Sequence, residues 1–189
     1  MIKTVVCVFL ASLLRLSAQT QPTDEFHHQI GVSGSSISGL GISYQYIFSD
    51  NYRVMCTGFY ISDGASSDTW PESVIASAGI EGQRTLLKNN TIRLYGLLGL
   101  AYFFNGDYRS GKLVYSYNSR KQNTYNGGGG VGMEMIALGR IALHVEVGLV
   151  YSFSETKYDP PGGLSSPNPG FKSEVGIGIG GGLGFGFQF

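Results

Sequence analysis

The sequence predicts an all-β protein, an eight-stranded antiparallel up-and-down transmembrane β-barrel. Large apolar residues alternate with small or polar ones over segments of ten or more residues. Such segments exceed the usual soluble strand of about 5 or 6 residues and match the ~9–11 residues with which a tilted strand crosses a bilayer. Short turns alternate with long connections, as is typical of transmembrane barrels. Charged residues form only 14% of the composition, against roughly 25% in soluble domains.

The start of the chain is predicted to be a secretory signal peptide. Lys3 gives a positive start, residues 5–14 form a short apolar core, and residues 16–18 are suited to cleavage before Gln19. The apolar core has about half of the roughly 20 residues that a spanning helix needs. We therefore expect a signal over 1–18, a short periplasmic segment over 19–27 and the barrel over 28–189.

Charge and motif content exclude several classes of partner and cofactor. The 13 basic and 13 acidic residues form no basic stripe, so nucleic acid is not expected as a partner. Cys7 lies in the signal, which leaves Cys56 without a second cysteine for an internal disulfide. Glycine runs at 127–132 and 176–181 have the G-x-G-x-x-G spacing, but no helical pattern follows either one. We predict neither a cofactor nor a metal.

The first four strands are predicted from alternation and from the turns between them. The first, over 28–33, is short, but without it seven strands would remain, and bacterial single-chain barrels have even numbers. The second, over 40–48, alternates large apolar residues with small and polar ones. The third, over 52–61, follows a turn at 49–51. The fourth, over 74–87, carries Glu81 and Gln83 on one face.

The last four strands have the clearer alternation. The fifth, over 92–105, follows a turn at 88–90, and the sixth, over 127–138, places Gly132 and Glu134 on one face. The seventh, over 141–154, follows a turn at 138–140. The eighth runs to the end of the chain, with large apolar residues on one face and glycines on the other. Lipid on one side and a crowded interior on the other would explain these two faces.

The connections predict how the barrel is oriented. The three turns named above are short and belong on the periplasmic side, where both termini would also lie. Four connections are longer and belong outside the cell: 34–39, 62–73, 106–126 and 155–173.

The last strand carries the most specific motif. Large apolar side chains alternate up to the final residue: Leu183, Phe185, Phe187 and Phe189. With this ending and its eight strands, the mature chain resembles the small porin-like outer-membrane proteins of the OmpA-barrel and OmpX type. The resemblance implies a monomer in the outer membrane, in contact with lipid and lipopolysaccharide. It also implies that the outer-membrane assembly machinery reads the terminal motif.

The predicted interior carries a polar network. A basic residue that faced lipid near the midplane would cost about 2–4 kcal/mol, so ionisable residues within the strands are expected to point inward. The turn at 138–140 would set Glu134 opposite His144, with Arg53 and Arg93 as counter-ions. The network is predicted to fix the barrel, and its members are Arg53, Glu81, Arg93, Glu134, His144 and Glu146.

Two alternatives to a structural interior stay open at this stage. His144 with Glu134 or Glu146 could be a base and its orienting group in a lipid-modifying enzyme. Against this, Glu146 stands where the His-x-Ser spacing of lipid-A deacylases would need a serine. Alternatively, gaps between the inward side chains could hold a small apolar ligand or form a leak, although eight strands enclose a space that side chains just fill.

Recognition is expected to come from the long extracellular connections. The 106–126 connection is basic and rich in tyrosine, and the 62–73 connection contains the only tryptophan. The predicted function is non-enzymatic, either envelope structure or adhesion-like surface contact, and the ligand is not specified. The candidate contact residues are Arg109, Lys112, Tyr115, Tyr117, Arg120, Lys121 and Trp70.

We expect the mature protein, refolded in detergent, to migrate differently in SDS gel electrophoresis before and after boiling. A closed barrel keeps its ladder of backbone hydrogen bonds in cold SDS and loses it on boiling. A single unshifted band, together with a soluble monomer in plain buffer, would contradict the barrel.

Overall fold

A computed structural model describes residues 26–63, 72–108, 119–159 and 170–189. Within these ranges the chain forms eight strands and no helix that is long and apolar enough to cross a membrane. The predicted signal peptide lies outside the described residues. The strands are β1 (His28–Ser35), β2 (Gly39–Ile47), β3 (Tyr52–Asp63), β4 (Glu72–Lys88), β5 (Ile92–Tyr108), β6 (Ser119–Ala137), β7 (Ile141–Asp159) and β8 (Gly170–Gln188).

The strands form a closed antiparallel barrel in sequence order. Each strand pairs with the next one along the chain, and β1 pairs with β8 to close the ring, with Val32 opposite Phe185. Closure removes the two free edges of an open sheet over the length in which β1 and β8 are paired, from Gln29 and Gln188 to Ser35 and Gly182. The predicted fold class is confirmed, and so is the resemblance in fold to small OmpA-type and OmpX-type barrels.

The outer surface has the character of a membrane-spanning wall. Apolar side chains on β5, β7 and β8 point away from the interior and are exposed, including Leu98, Leu149 and Ile179. An upper aromatic girdle crosses three strands, with the rings of Tyr102 and Tyr125 5.2 Å apart and the ring of Phe153 next to Tyr125. Because the large residues face outward and the charged ones inward, the protein is a transmembrane barrel of the outer-membrane type.

The three short turns lie where the sequence predicts them. The Asn89 side chain accepts hydrogen bonds from the backbone N–H groups of Thr91 and Ile92, at 2.9 and 2.7 Å. Gly139 has a φ of 72°, which glycine adopts without strain. An ion pair between Lys88 and Asp50 joins two turns, and its hydrogen bond holds the pKa of the Asp50 carboxyl below its ordinary value.

Two of the predicted extracellular connections are much shorter than expected. β5 continues to Tyr108 and β6 begins at Ser119, so the prediction of a loop over 106–126 is wrong. The loop predicted over 155–173 is likewise shortened at both ends by β7 and β8. Outside the membrane the outer face of a strand meets water and need not be apolar. The strands therefore continue there without the apolar and polar alternation that identifies their membrane-spanning parts.

The connection predicted at 34–39 is not a surface loop either. Its residues 36–38 fold down into the barrel, and we call them the inner turn. Ile37 is completely buried and packs with Tyr95, Leu97 and Val150. The Asn126 amide donates to the Ser36 carbonyl at 2.9 Å, and the Thr57 hydroxyl donates to the Ser38 carbonyl. The inner turn thus closes the barrel from within.

Glycines on the inner face make room for the inner turn. A Cβ placed on Gly99 would lie 2.9 Å from the Ile37 side chain, and one placed on Gly79 would overlap the Ser38 carbonyl. Lower down, a Cβ on Gly184 would overlap the His144 imidazole. The lower inward glycines of β8, at 180, 182, 184 and 186, are therefore required by neighbouring side chains rather than by backbone conformation.

We expect Gly184→Ala to lower the free energy of unfolding by about 1–3 kcal/mol, because the added methyl group overpacks the interior against His144. The matched control is Gly178→Ala on the same face of β8, where nothing lies within 4 Å of the new Cβ. Urea unfolding in lipid vesicles measures both. Equal stability of the two variants would refute the packing argument.

Candidate functional site

The charged residues of the interior meet at Glu134. Its Oε1 atom accepts hydrogen bonds from Arg53 Nη1 at 2.8 Å and from Arg93 Nε at 3.1 Å. All three side chains are at most 4% exposed. Buried charges are tolerated when they are paired and hydrogen-bonded, and this carboxylate forms ion pairs with two guanidinium groups.

Strand register brings these residues to one level of the barrel. Arg93 on β5 is paired with Glu134 on β6, and Glu134 is paired with His144 on β7. His144 is in turn paired with Gly184 on β8, whose missing side chain leaves room for the imidazole ring. The turn at 138–140 sets this register, as the sequence predicts.

The other two carboxylates are held by neutral partners. Glu81 accepts a hydrogen bond from the Gln83 amide at 2.8 Å, and Glu146 accepts one from the Tyr95 hydroxyl at 3.0 Å. The Arg93 guanidinium lies over the Tyr95 ring, 4.3 Å from its centroid. All six residues of the predicted network therefore lie inside the barrel in one region.

Neutral members of this network were not identified as such from the sequence. Gln45 donates to Gln83 at 3.0 Å and accepts from Arg53 at 3.4 Å. Both glutamines occupy inward positions of their strands, so the alternation that located Arg53 and Glu81 could also have located them. Their amides connect the Glu81 side of the cluster to the Arg53 side.

The interior contains a histidine and a serine close together, the pair of side chains that a lipid hydrolase would need. His144 Nε2 lies 3.4 Å from the Ser33 hydroxyl, a pairing that closure of the ring between β1 and β8 creates. Both side chains are only 4% exposed, and the inner turn lies on the extracellular side of them. A hydroxyl enclosed in this way cannot reach the scissile bond of a lipid, so the geometry fits a hydrogen-bonded interior contact.

The described residues hold no group of three or more His, Cys, Asp or Glu side chains that could bind a metal. Cys56 is exposed on the outer face of β3.

The terminal motif lies on the outer wall beside the closing seam. Leu183, Phe185, Phe187 and Phe189 are all exposed, between 42% and 68%. Phe189 and His28 exchange two backbone hydrogen bonds of 2.9 and 3.2 Å, and their rings stack at 5.7 Å. The chain end is therefore part of the seam. Its recognition by the assembly machinery stays a prediction.

Only part of the predicted contact surface is described. Arg120 lies near the top of β6, where its Nη2 donates to the Gln122 side chain at 2.9 Å. Lys121 is the next residue on β6 and is paired with Lys157 of β7. The remaining candidates lie outside the described residues, and they are Arg109, Lys112, Tyr115, Tyr117 and Trp70.

The barrel wall has a gap on its extracellular side, which we call the notch. Pairing between β1 and β8 ends at Ser35 and Gly182, and pairing between β2 and β3 ends at Ile42 and Gly58. Above these levels β8 continues to Gly170 and β3 to Asp63 without a strand between them in the described part of the chain. The notch leaves residues 170–180 of β8 with a free edge.

The polar groups of this edge point into the notch. The Gly181 carbonyl accepts a hydrogen bond from the Ser36 N–H at 3.1 Å across the gap. In an antiparallel strand the N–H and C=O groups of every second residue point to the same side. Val175, Ile177 and Ile179 therefore direct their backbone groups into the notch, whereas Glu174 and Gly176 direct theirs toward β7.

Comparison with known proteins gives little beyond the fold. No family model and no curated protein matches the chain. Among solved structures, the chain is similar to the crystal structure of Ail, the attachment invasion locus protein of Yersinia pestis, alone and in complex with the heparin analogue sucrose octasulfate. Both comparisons give 16% identity and a TM-score of 0.40, and they cover 86% of this chain and 96% of the Ail chain.

We expect Glu134→Gln to lower the free energy of unfolding by about 3–5 kcal/mol, because it leaves two buried guanidinium groups without their shared carboxylate. Glu174→Gln, at an exposed ion pair with Lys172, is the matched control and is expected to change stability by no more than about 0.5 kcal/mol. Urea unfolding in vesicles measures the difference. A neutral effect of Glu134→Gln would show that the network does not hold the barrel together.

Proposed function

We propose that this protein is a non-enzymatic outer-membrane barrel that makes adhesion-like contacts with an extracellular partner through the part of its sheet that projects above the membrane. The observation that carries the proposal is the free edge of β8 at the top of a wall that is far taller than a bilayer requires. Strands β4 to β8 have 17 to 19 residues, whereas about 9–11 are enough to cross.

The height of the projection follows from the upper aromatic girdle. Tyr125 and Phe153 mark the level of the membrane interface on β6 and β7. Six further residues of each strand, 119–124 and 154–159, lie above that level. At about 3.3 Å per residue the sheet rises by up to ~20 Å beyond the girdle.

The projecting part is polar and carries charge of both signs. Lys121 and Lys157 lie side by side on its outer face, just above the girdle. This is the height of the phosphates of lipopolysaccharide, and contact between those phosphates and the two lysines is part of the proposal. Lys172 and Glu174 on β8 form an exposed ion pair close to the free edge.

A free edge of this kind binds by strand addition. The backbone groups of Val175 and its alternate neighbours are directed into the notch and can pair with an extended segment of another protein. Side chains on the outer face of β8, such as Ile177, would then contact every second side chain of the added strand. The enclosed position of Ser33 and His144 supports the non-enzymatic part of the proposal.

We expect Val175→Pro to reduce adhesion to cultured epithelial cells by about tenfold when the protein is expressed in a non-adherent bacterial strain. Proline removes the N–H that points into the notch, while the ladder with β7 uses the alternate residues and stays intact. Val175→Ala is the matched control, because it shortens the side chain and keeps the N–H.

The heat-dependent gel shift of each variant confirms that the barrel is assembled before adhesion is compared. Equal adhesion of the proline and alanine variants would mean that the edge is not the contact surface.

We also expect deletion of Phe189 to reduce the amount of assembled barrel several-fold in cells, because the terminal motif is proposed to be the signal for the assembly machinery. The amount of heat-shifted protein in outer-membrane fractions measures assembly, and Ile179→Ala on the same outer face is the control. Wild-type amounts after the deletion would exclude the motif as a signal.

A further inference from the structure

The interior above the inner turn is open, and we call this space the vestibule. A Cβ placed on Gly176 or Gly178 would have nothing within 4 Å, although both residues face inward. Ile61 and Ile75 also occupy inward positions, yet they are 60% and 44% exposed. Lower on the same face of β8, a Cβ on Gly180, Gly182 or Gly184 would collide with neighbouring side chains, so the vestibule is a cavity that the packing of the described residues leaves unfilled.

One wall of the vestibule is a ladder of amides and hydroxyls on β6 and β7. Gln122 donates to Ser154 at 3.1 Å, Thr124 lies 3.1 Å from the same hydroxyl, and Ser152 donates to Asn126 at 2.8 Å. These contacts hold each group in place, and the Ser152 hydroxyl, which donates to Asn126, keeps its oxygen lone pairs for a further donor. The wall is polar, its one basic group, Arg120, donates to Gln122 at the upper end, and it is ordered before any ligand arrives.

The facing wall is apolar. Ile61 is paired with Ile75 across β3 and β4, and the next inward residues on β3 and β5 are Phe59 and Phe103. Two phenyl rings and two branched side chains in an aqueous cavity are unfavourable unless something apolar covers them. The inner turn, with Val150 beside it, forms the floor.

We propose that the vestibule binds a neutral saccharide. A pyranose ring presents apolar C–H faces to aromatic side chains and hydroxyl groups around its edge, and the two walls match these two surfaces. The ladder from Gln122 to Ser152 has no ionisable member of its own. The charged groups next to it already have partners, Arg120 at Gln122 and Glu174 at Lys172, which favours an uncharged sugar over an acidic one. The notch beside Gly176 and Gly178 gives a chain of several sugars a way out toward the cell surface. Gly176 and Gly178 belong to the same stretch of β8 as the free edge, but the vestibule is formed by inward side chains and not by the backbone groups of that edge, so sugar binding does not depend on strand addition.

The test is titration of the detergent-refolded protein with maltotriose, chitotriose and lactose, observed by NMR chemical shifts of the Asn126 and Gln122 side-chain amides. We expect at least one of the three sugars to bind with saturation. We expect Phe103→Ala to weaken that binding about tenfold. Phe104→Ala is the matched control, because Phe104 is the neighbouring residue on β5 and faces outward, and it should bind as the wild type does.

Gly176→Leu keeps the test decisive if loss of Phe103 disturbs folding. The open space at Gly176 accepts the new side chain, so the variant should assemble, show the gel shift and lose sugar binding. Binding of none of the three sugars by the wild type would overturn the proposal. So would undiminished binding by Gly176→Leu. The proposal would also be overturned if decyl chains, and none of the sugars, changed the amide chemical shifts. That result would indicate an acyl chain that enters through the notch.

Discussion

The narrow interior of an eight-stranded barrel is the constraint on which the rest of this structure depends. Eight strands enclose a space that side chains only just fill, so each large inward residue needs a neighbour without a side chain. Tyr95 lies against Gly132, Glu146 against Gly182, and the inner turn against Gly79 and Gly99. These glycines thus leave the space that a few large buried groups occupy.

The lipid outside and the crowding inside together determine the electrostatics. Ionisable residues cannot face the acyl chains, and inside they cannot be solvated freely, so they are gathered around one carboxylate, Glu134. Its two arginines come from β3 and β5, which are not neighbours in the sheet. Glu134 is on β6, next to β5 and three strands from β3, so its ion pair with Arg53 ties distant parts of the wall together across the interior, in addition to the backbone ladder that joins adjacent strands.

Much of the transmembrane part could be predicted from the sequence, because there each side chain faces either lipid or the barrel interior. Alternation located the strands, and the short turns set Glu134 opposite His144. The upper parts of β5 and β6 could not be predicted, since both of their faces meet water. The inner turn was missed because the burial of Ile37 depends on glycines far away in the chain. The contact between Ser33 and His144 likewise exists only after the ring has closed.

The notch has a consequence for the membrane itself. β1 and β2 have 8 and 9 residues, whereas β7 has 13 residues, 141 to 153, up to and including the girdle. Lipids beside the short strands meet a smaller hydrophobic height than lipids elsewhere around the same barrel. This asymmetric hydrophobic mismatch makes the bilayer thin locally, or makes the barrel tilt toward its short side, and either response concentrates the deformation of the outer leaflet at one known point of the perimeter.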